Sequence, residues 1–404
     1  MSFGVNRRKI GFMQSKSNLR DFKDAKKRRE ALEKELNIKL NSISNFNFSE
    51  EQVADRNIEN LIGATQIPLG VAGPLLIHLE GEDVRWNKAH LRGVEYYIPL
   101  ATTEGALVAS VSRGCKAVTQ AGGVKVYVED VGQTRGPVFK TKGIEHGMEV
   151  KRWIESHISL LSQTTQKTSS HLKLLNLKMA LVGKNLFVRF SYLTSDAMGM
   201  NMVTIATEKA VKLIGKETRA ECISLAGNFD IDKKPAWLNF IEGRGKKVWA
   251  EVTLSKKVVK EVLKTTPEKI VEVVKRKTHL GSIMSGSLGF NSHFANIIAA
   301  VFLATGQDPA HVVEGSLGVT DAEVERNGDL YFSIYMPSIQ VGTVGGGTNL
   351  PTQKGALKIM QVAGVLEYAQ VLGAAVLAGE LSLIASLSEG SLAKAHQKLG
   401  RKGK

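Results

Sequence analysis

Apolar positions along the chain follow two rhythms. Between Glu149 and Leu161 they fall at Val150, Trp153, Ile154, Ile158 and Leu161, the spacing of a helix with one buried face. Leu172–Leu181 and Leu186–Tyr192 flank Gly183-Lys184-Asn185 and predict a β-hairpin. A short strand is predicted before them at Val138–Thr141, a second helix after them at Met198–Ile214, and a last strand at Ala220–Leu225. The order β-α-β-β-α-β is that of the ferredoxin-like split βαβ unit. The flanks are richer in Gly and Ala. They predict helices at Thr103–Val118 (with Thr102 near its N-cap), Ser292–Thr305, Pro351–Leu366 and Gln370–Leu387. The pattern predicts an α+β protein with a large helix-rich α/β domain at 51–136 and 226–404. A small ferredoxin-like domain is inserted at 137–225, and a helical segment at 1–50 is centred on Asp21–Leu40.

Composition narrows the class. Of 404 residues, 43% are hydrophobic and 23% charged, ordinary for a folded chain with a large core. Two cysteines, Cys115 and Cys222, are too few for a disulfide framework and point to a reducing, cytoplasmic setting. Met1–Lys9 has basic residues with no apolar stretch behind them, and the uncharged run Gly281–Gln307 is too rich in Gly, Ser and Asn for a membrane span. No membrane partner is expected. A net charge of +15 calls for anionic partners. Lys26-Lys27-Arg28-Arg29 reads most simply as the solvated face of a helix. A nucleic-acid arm is the competing reading, but no aromatic residues interleave with these charges, and the two hairpin strands lack the aromatic pattern of RNA-binding sheets. No nucleic acid is expected.

Several familiar sites are excluded. No two histidines stand three or four residues apart and the cysteines are far from each other, so no local metal-ligand pair exists and no metal is expected. No phosphate-binding P-loop is present, and Gly342–Asn349 lacks the Rossmann spacing. The run Gly345-Gly346-Gly347-Thr348 still lets backbone N–H groups approach a phosphate or carboxylate. Asp196-Ala197-Met198-Gly199-Met200-Asn201-Met202 opens a predicted helix, whose N-terminus favours an anion. In Gly227–Ala236, Lys233 and Lys234 stand beside Asp230 and Asp232, where a lysine held by carboxylates can polarise a carbonyl oxygen. Each segment also has a plain structural reading: a tight turn, an Asp cap with buried methionines, a solvated loop. Glu104 could merely complement a helix dipole, Asp308 could be a cap, and His396 a packing residue.

In order, Glu59–Gly63, Pro68–Pro74, Ala101-Thr102-Thr103-Glu104-Gly105, Asp196–Met202, Asp232–Pro235, Ile241–Lys246, Gly306-Gln307-Asp308 and Gly342–Asn349 resemble 3-hydroxy-3-methylglutaryl-CoA reductase over about residues 55–396. The Ala-Thr-Thr-Glu-Gly and Asp-Ala-Met-Gly-Met-Asn forms resemble class I. Lacking the anchor of eukaryotic members, the chain looks like a soluble archaeal or bacterial one. The resemblance implies reduction of the thioester to mevalonate by two NADPH. It implies Lys233 as oxyanion stabiliser and Glu104 as proton donor, kept protonated by burial and by neighbouring Asp308. Asp308 would tie Lys233 and Glu104 into one network, and His396 would protonate the departing CoA thiolate.

For the substrate HMG-CoA it implies contacts from Arg135, Lys234 and Lys277 to the carboxylate, with Asn228, Asp232 and Asn296 as hydrogen-bond partners. Ser110 and Arg113 would lie on the CoA side. The cofactor would lie on Asp196, Met198, Gly199, Met200 and Asn201 and on Gly345, Gly346, Gly347 and Thr348, with Ser169 nearby in the small, NADP-binding domain. A homodimer or homotetramer with its site at the subunit interface is implied. Two departures stand out. Ser169-Ser170-His171 stands where animal members carry a Ser-Arg pair for the 2′-phosphate, and Ala226 replaces a serine.

Overall fold

Alternating buried and exposed residues build a sheet that the flanking sequence did not announce. In Gly245–Leu254 (β8), Val248, Ala250, Val252 and Leu254 are buried while Trp249, Glu251 and Thr253 face outward. The computed structural model describes residues 19–54, 57–80 and 93–390. The chain divides between Ile67 and Pro68 into two compact units.

In the first unit, helix α1 spans Ala25–Leu36 rather than the whole of Asp21–Leu40. Asp24 caps its start by accepting the Lys27 N–H at 2.7 Å, and Asn37 stops it in the left-handed conformation. Arg28 and Arg29 donate to the backbone carbonyls of Leu61 and Ile62, so part of the basic cluster serves the chain's own backbone.

In the second unit, β1 (Leu69–Glu80), β2 (Val94–Ala101), β3 (Val124–Arg135), β8, β9 (Gly289–Phe290), β10 (Gly318–Val324) and β11 (Leu330–Ile339) form the larger sheet, ordered β2-β1-β3-β8-β11-β10-β9. Val138–Lys140 (β4), Lys173–Val182 (β5), Asn185–Leu193 (β6) and Glu221–Ser224 (β7) form an antiparallel ladder ordered β7-β4-β6-β5. This is the strand order of a split βαβ unit, and it has a core of its own around Phe139, Phe190, Tyr192 and Ile214. Strand β3 joins the two ladders. Its first half pairs with β1 and β8, and after a shift at Gly132 (φ +81°) its last residues pair with β6.

The helices refine the predicted boundaries. Glu149–Leu161 is not one helix but the junction of two, α3 (Ile144–Ser156) and α4 (Ile158–Gln166), broken at His157. Helix α2 runs from Leu107 to Gln120, so Thr102 does not cap it; Ala106 holds that position, and Thr102 Oγ1 accepts the Glu104 N–H at 3.0 Å. The helix expected at Met198 begins at Met200 (α5, Met200–Thr218) behind Gly199, and Asp196 is not its cap. Helix α6 spans Phe294–Thr305, and α7 (Pro351–Met360) ends six residues earlier than predicted, with Gln361 left-handed. Helix α8 (Val365–Glu389) is long and apolar enough to cross a membrane, but 78% of its apolar window is buried inside the fold, with Glu380 fully buried within it. It packs against α2 so closely that a Cβ on Gly114 would lie 1.8 Å from the Ala378 carbonyl oxygen.

That approach reverses the usual sign of a helical glycine substitution. Gly→Ala in a helix interior ordinarily stabilises by roughly 0.5–1 kcal/mol. Gly114→Ala should instead destabilise by about 1–3 kcal/mol, because a backbone oxygen cannot step aside. Urea unfolding of the two proteins checks this, and an unchanged or higher midpoint would contradict it.

Candidate active site

The loop 226–236 is held in an uncommon backbone. Asn228, Ile231 and Lys233 have φ of +62°, +54° and +57°, a left-handed region that non-glycine residues enter only under restraint. The restraints are visible. Arg135 pairs with buried Asp230 at 3.6 Å, Thr134 Oγ1 donates to the Asp230 carbonyl at 2.9 Å, and Asn239 Nδ2 donates to the Ile231 carbonyl at 2.9 Å. Arg244 Nη2 pairs with Asp232 Oδ1 at 3.0 Å. Burial raises the Asp230 carboxyl despite the opposing charges of Arg135 and Arg244.

This loop carries Lys233 to the end of α6. There Gly306 (φ +74°) turns the chain so that Asp308 meets it: Lys233 Nζ donates to Asp308 Oδ2 at 2.8 Å. Asp308 is also the cap foreseen as its plain reading, since its Oδ1 accepts the Ala310 N–H at 3.0 Å. Partial burial pushes the Asp308 carboxyl upward. The Lys233 hydrogen bond, the Ala310 N–H and the charges of His311 and Lys233 outweigh burial and hold it below its ordinary value.

Beneath the pair lies a buried ionic network. The Arg244 guanidinium, fully buried, donates to Glu314 Oε1, to Thr134 Oγ1 at 2.8 Å and toward the Met200 sulfur at 3.0 Å, besides its pair with Asp232. His311 Nδ1 lies 3.0 Å from Glu314 Oε1. Asp232, His311 and Glu314 bring ligand-type atoms within 4.8 Å of one another, but Arg244 already supplies positive charge to both carboxylates. Sequence reasoning missed Arg244, His311 and Glu314 as site residues. Only Arg244 gave a signal, standing between Gly243 and Gly245.

A cavity of ≈ 590 Å³ opens beside Asp308, and it unites the two glycine motifs. Met198, Gly199, Met200 and Asn201 form one wall and Gly345, Gly346, Gly347 and Thr348 another. Gly306 and Gly347 press backbone to backbone: a Cβ on either would lie 2.3–2.6 Å from the other's carbonyl oxygen. At Gly345 and Gly346, both at positive φ, a Cβ would meet nothing within 4 Å, so the turn presents bare backbone to open space. Asp196 stands behind the wall, its carboxylate accepting the Val365 N–H at 2.9 Å. Ser169 is not on the cavity wall; its Oγ accepts the His171 N–H at 3.2 Å, and Ser195 Oγ donates to the His171 carbonyl at 3.4 Å.

The remaining predicted residues separate into other places. Glu104 is exposed, not buried, and it does not join the Lys233–Asp308 pair; its Oε2 accepts from Asn296 Nδ2 at 2.9 Å, near the opposite end of α6. From Asn296 to the last helical residue, Thr305, is about 14 Å along the axis. Lys277 is exposed on the helical turn Val274–Gly281. Asn228 is exposed, and Lys234 Nζ donates to the Asp232 carbonyl at 3.2 Å. Ser110 and Arg113 face α8, meeting Ser382 at 3.0 Å each. His396 lies outside the described residues.

An ammonium fixed by a carboxylate that lines a glycine-walled cavity is an arrangement able to stabilise a developing oxyanion beside a phosphate-bearing ligand. Residues 24–401 match the profile of the hydroxymethylglutaryl-coenzyme A reductase family, and the chain belongs to that family. It is 51% identical to the 3-hydroxy-3-methylglutaryl-coenzyme A reductase of Methanothermobacter thermautotrophicus over 378 residues, 93% of this chain and 92% of that one. It is 50% identical to the enzyme of the same name from Methanocaldococcus jannaschii, with the same coverage. The class II reductase of Streptococcus pneumoniae, solved bound to NADPH in open conformations, superposes with a TM-score of 0.66 over 90% of this chain and 97% of that one. At 18% identity this likeness shows a shared fold.

Arg244 should prove structural as well as electrostatic. Arg244→Met strands buried Glu314 and half-buried Asp232, and it should cost about 3–5 kcal/mol in urea unfolding. Lys178→Met, which removes the half-exposed pair with Glu242, should cost under about 1 kcal/mol. Equal losses for the two variants would contradict the network's role.

Proposed function

We propose that the chain reduces the thioester of 3-hydroxy-3-methylglutaryl-CoA to mevalonate and free CoA, using two NADPH, at a site completed by two copies of the chain. The observation that carries this reading is Lys233 paired with Asp308, a residue that lines the glycine-walled cavity. The motif forms at Ala101–Gly105 and Asp196–Asn201 support class I. Two free thiols, at Cys115 and Cys222, support a reducing, cytoplasmic setting. The small unit, 137–225, is read as the cofactor domain and the remainder from 51 as the substrate domain.

The cavity fits the cofactor's phosphates. The open faces of Gly345 and Gly346 and the N-terminus of α5 would receive them, N–H groups first. When bound, NADPH supplies the hydride. The protein's part is charge and protons. Each hydride places negative charge on the substrate oxygen, and Lys233, a compact ammonium held by Asp308, faces that charge. Glu104 delivers the proton that the final alkoxide needs, and His396 delivers one to the CoA thiolate. The substrate carboxylate would be met by Arg135, Lys234 and Lys277, with Asn228, Asp232 and Asn296 donating or accepting around it. Ser110 and Arg113 would line the CoA path. At the 2′-phosphate, Ser169, Ser170 and an exposed His171 stand where animal members carry a Ser-Arg pair, which weakens but does not remove the preference for NADPH.

The separation of the two pairs within one chain supports a site built from two copies. Glu104 and Asn296 sit near one end of α6 and Lys233 and Asp308 beyond the other, whereas reacting groups must approach to about 3–3.5 Å. Glu104 of one copy facing Lys233 of another satisfies that demand. Lys233→Ala and Glu104→Gln should each lose turnover by about 10²-fold or more while remaining folded. Mixed after unfolding and refolding together, the two inactive proteins should recover about a quarter of parental turnover, as random pairing leaves one intact site in half of the dimers. No recovery in demonstrated mixed dimers would sink the shared site, and near-normal turnover by Lys233→Ala alone would sink the role of Lys233.

A further inference from the structure

His311 takes no part in the chemistry above, yet it occupies the junction between the surface pair and the buried network. Its side chain is fully buried. Nε2 lies 3.7 Å from Asp308 Oδ2 and has no hydrogen-bond partner among the described residues. On its other side, Nδ1 lies 3.0 Å from Glu314 Oε1 and 4.0 Å from Asp232 Oδ1.

The charges facing it come from every segment packed around it. Asp308 closes α6, Glu314 lies one turn beyond His311, Asp232 and Lys233 come from the loop 226–236, and Arg244 from the approach to β8. Three carboxylates stand against two cations. Both ring nitrogens of His311 face carboxylate oxygens, Nδ1 that of Glu314 and Nε2 that of Asp308, so both are placed to donate.

We propose that His311 is a positioning residue for the reaction: as an imidazolium anchored on Glu314, it points Nε2–H at Asp308 and keeps that carboxylate ionised and turned toward Lys233. This deepens the reading of Lys233 and Asp308 given above and rests on it. The downward shift of the Asp308 carboxyl, to which the His311 charge contributes, agrees with it.

The test is His311→Gln, a neutral side chain of similar reach, with folding checked by circular dichroism. kcat should fall about tenfold while KM for both substrates stays within about twofold. Removing a positive neighbour lets Asp308 take a proton at higher pH, so the acid limb of the kcat profile should move up by about one pH unit. In an Asp308→Asn background, His311→Gln should lower the residual rate no further. A folded His311→Gln protein with parental kcat and an unmoved acid limb would overturn the proposal, provided Asp308→Asn is itself impaired. Parental turnover by Asp308→Asn would instead overturn the underlying reading. His311→Asn serves as a second variant, and failure of both to fold would place His311 among plain core residues and overturn its positioning role.

Discussion

The buried guanidinium of Arg244 is the constraint on which the rest of the site depends. A fully buried cation must find partners or carry a heavy desolvation cost, and Arg244 finds them on four separate segments. Thr134 belongs to β3, Met200 to the start of α5, Asp232 to the strained loop, and Glu314 to the turn after α6. One planar group thereby fixes the relative placement of the cavity wall at Met200, the lysine loop and the helix end. Three left-handed non-glycine residues in that loop are tolerated because these tethers over-determine it.

Helix α6 then acts as a rigid spacer. Its apolar length is buried in the main core, with Phe294, Ile297, Ile298, Val301 and Phe302 fully covered, so its two ends cannot drift. One end presents Asn296 with Glu104, the other Asp308 with Lys233. The helix thus keeps the Glu104–Asn296 contact and the Lys233–Asp308 pair apart within one chain, which is the physical ground for the proposal of a shared site.

Legibility in the sequence followed the range of the interactions. The small ladder was readable because its signals are local: a glycine turn between β5 and β6, and helical spacing on either side. The large sheet was not, although Val248, Ala250, Val252 and Leu254 alternate plainly in β8; Gly70, Gly73 and Pro74 in β1 broke the strand pattern there, and the Gly- and Ala-rich flanks read as helices. The two glycine motifs of the cavity wall emerged from motif resemblance and are brought together by contacts such as Gly306 on Gly347, which no spacing rule foresees. Lys233 and Asp308 are 75 positions apart in the sequence, and only folding shows their 2.8 Å pair. His311 and Glu314 stayed hidden because their importance comes from burial, and an isolated His or Glu carries no mark of it. Glu104 was expected in the same network as Asp308; within one chain, geometry sends it elsewhere.

The most direct test of the account is a crystal structure of the protein with the substrate thioester and oxidised cofactor bound. The account predicts Lys233 Nζ about 3 Å from the thioester carbonyl oxygen, with Asp308 still bonded to Lys233. It predicts the carboxyl of Glu104 from a second copy facing the same oxygen. Lys233 turned away from that oxygen, or Glu104 of the same chain reaching it, would contradict the account.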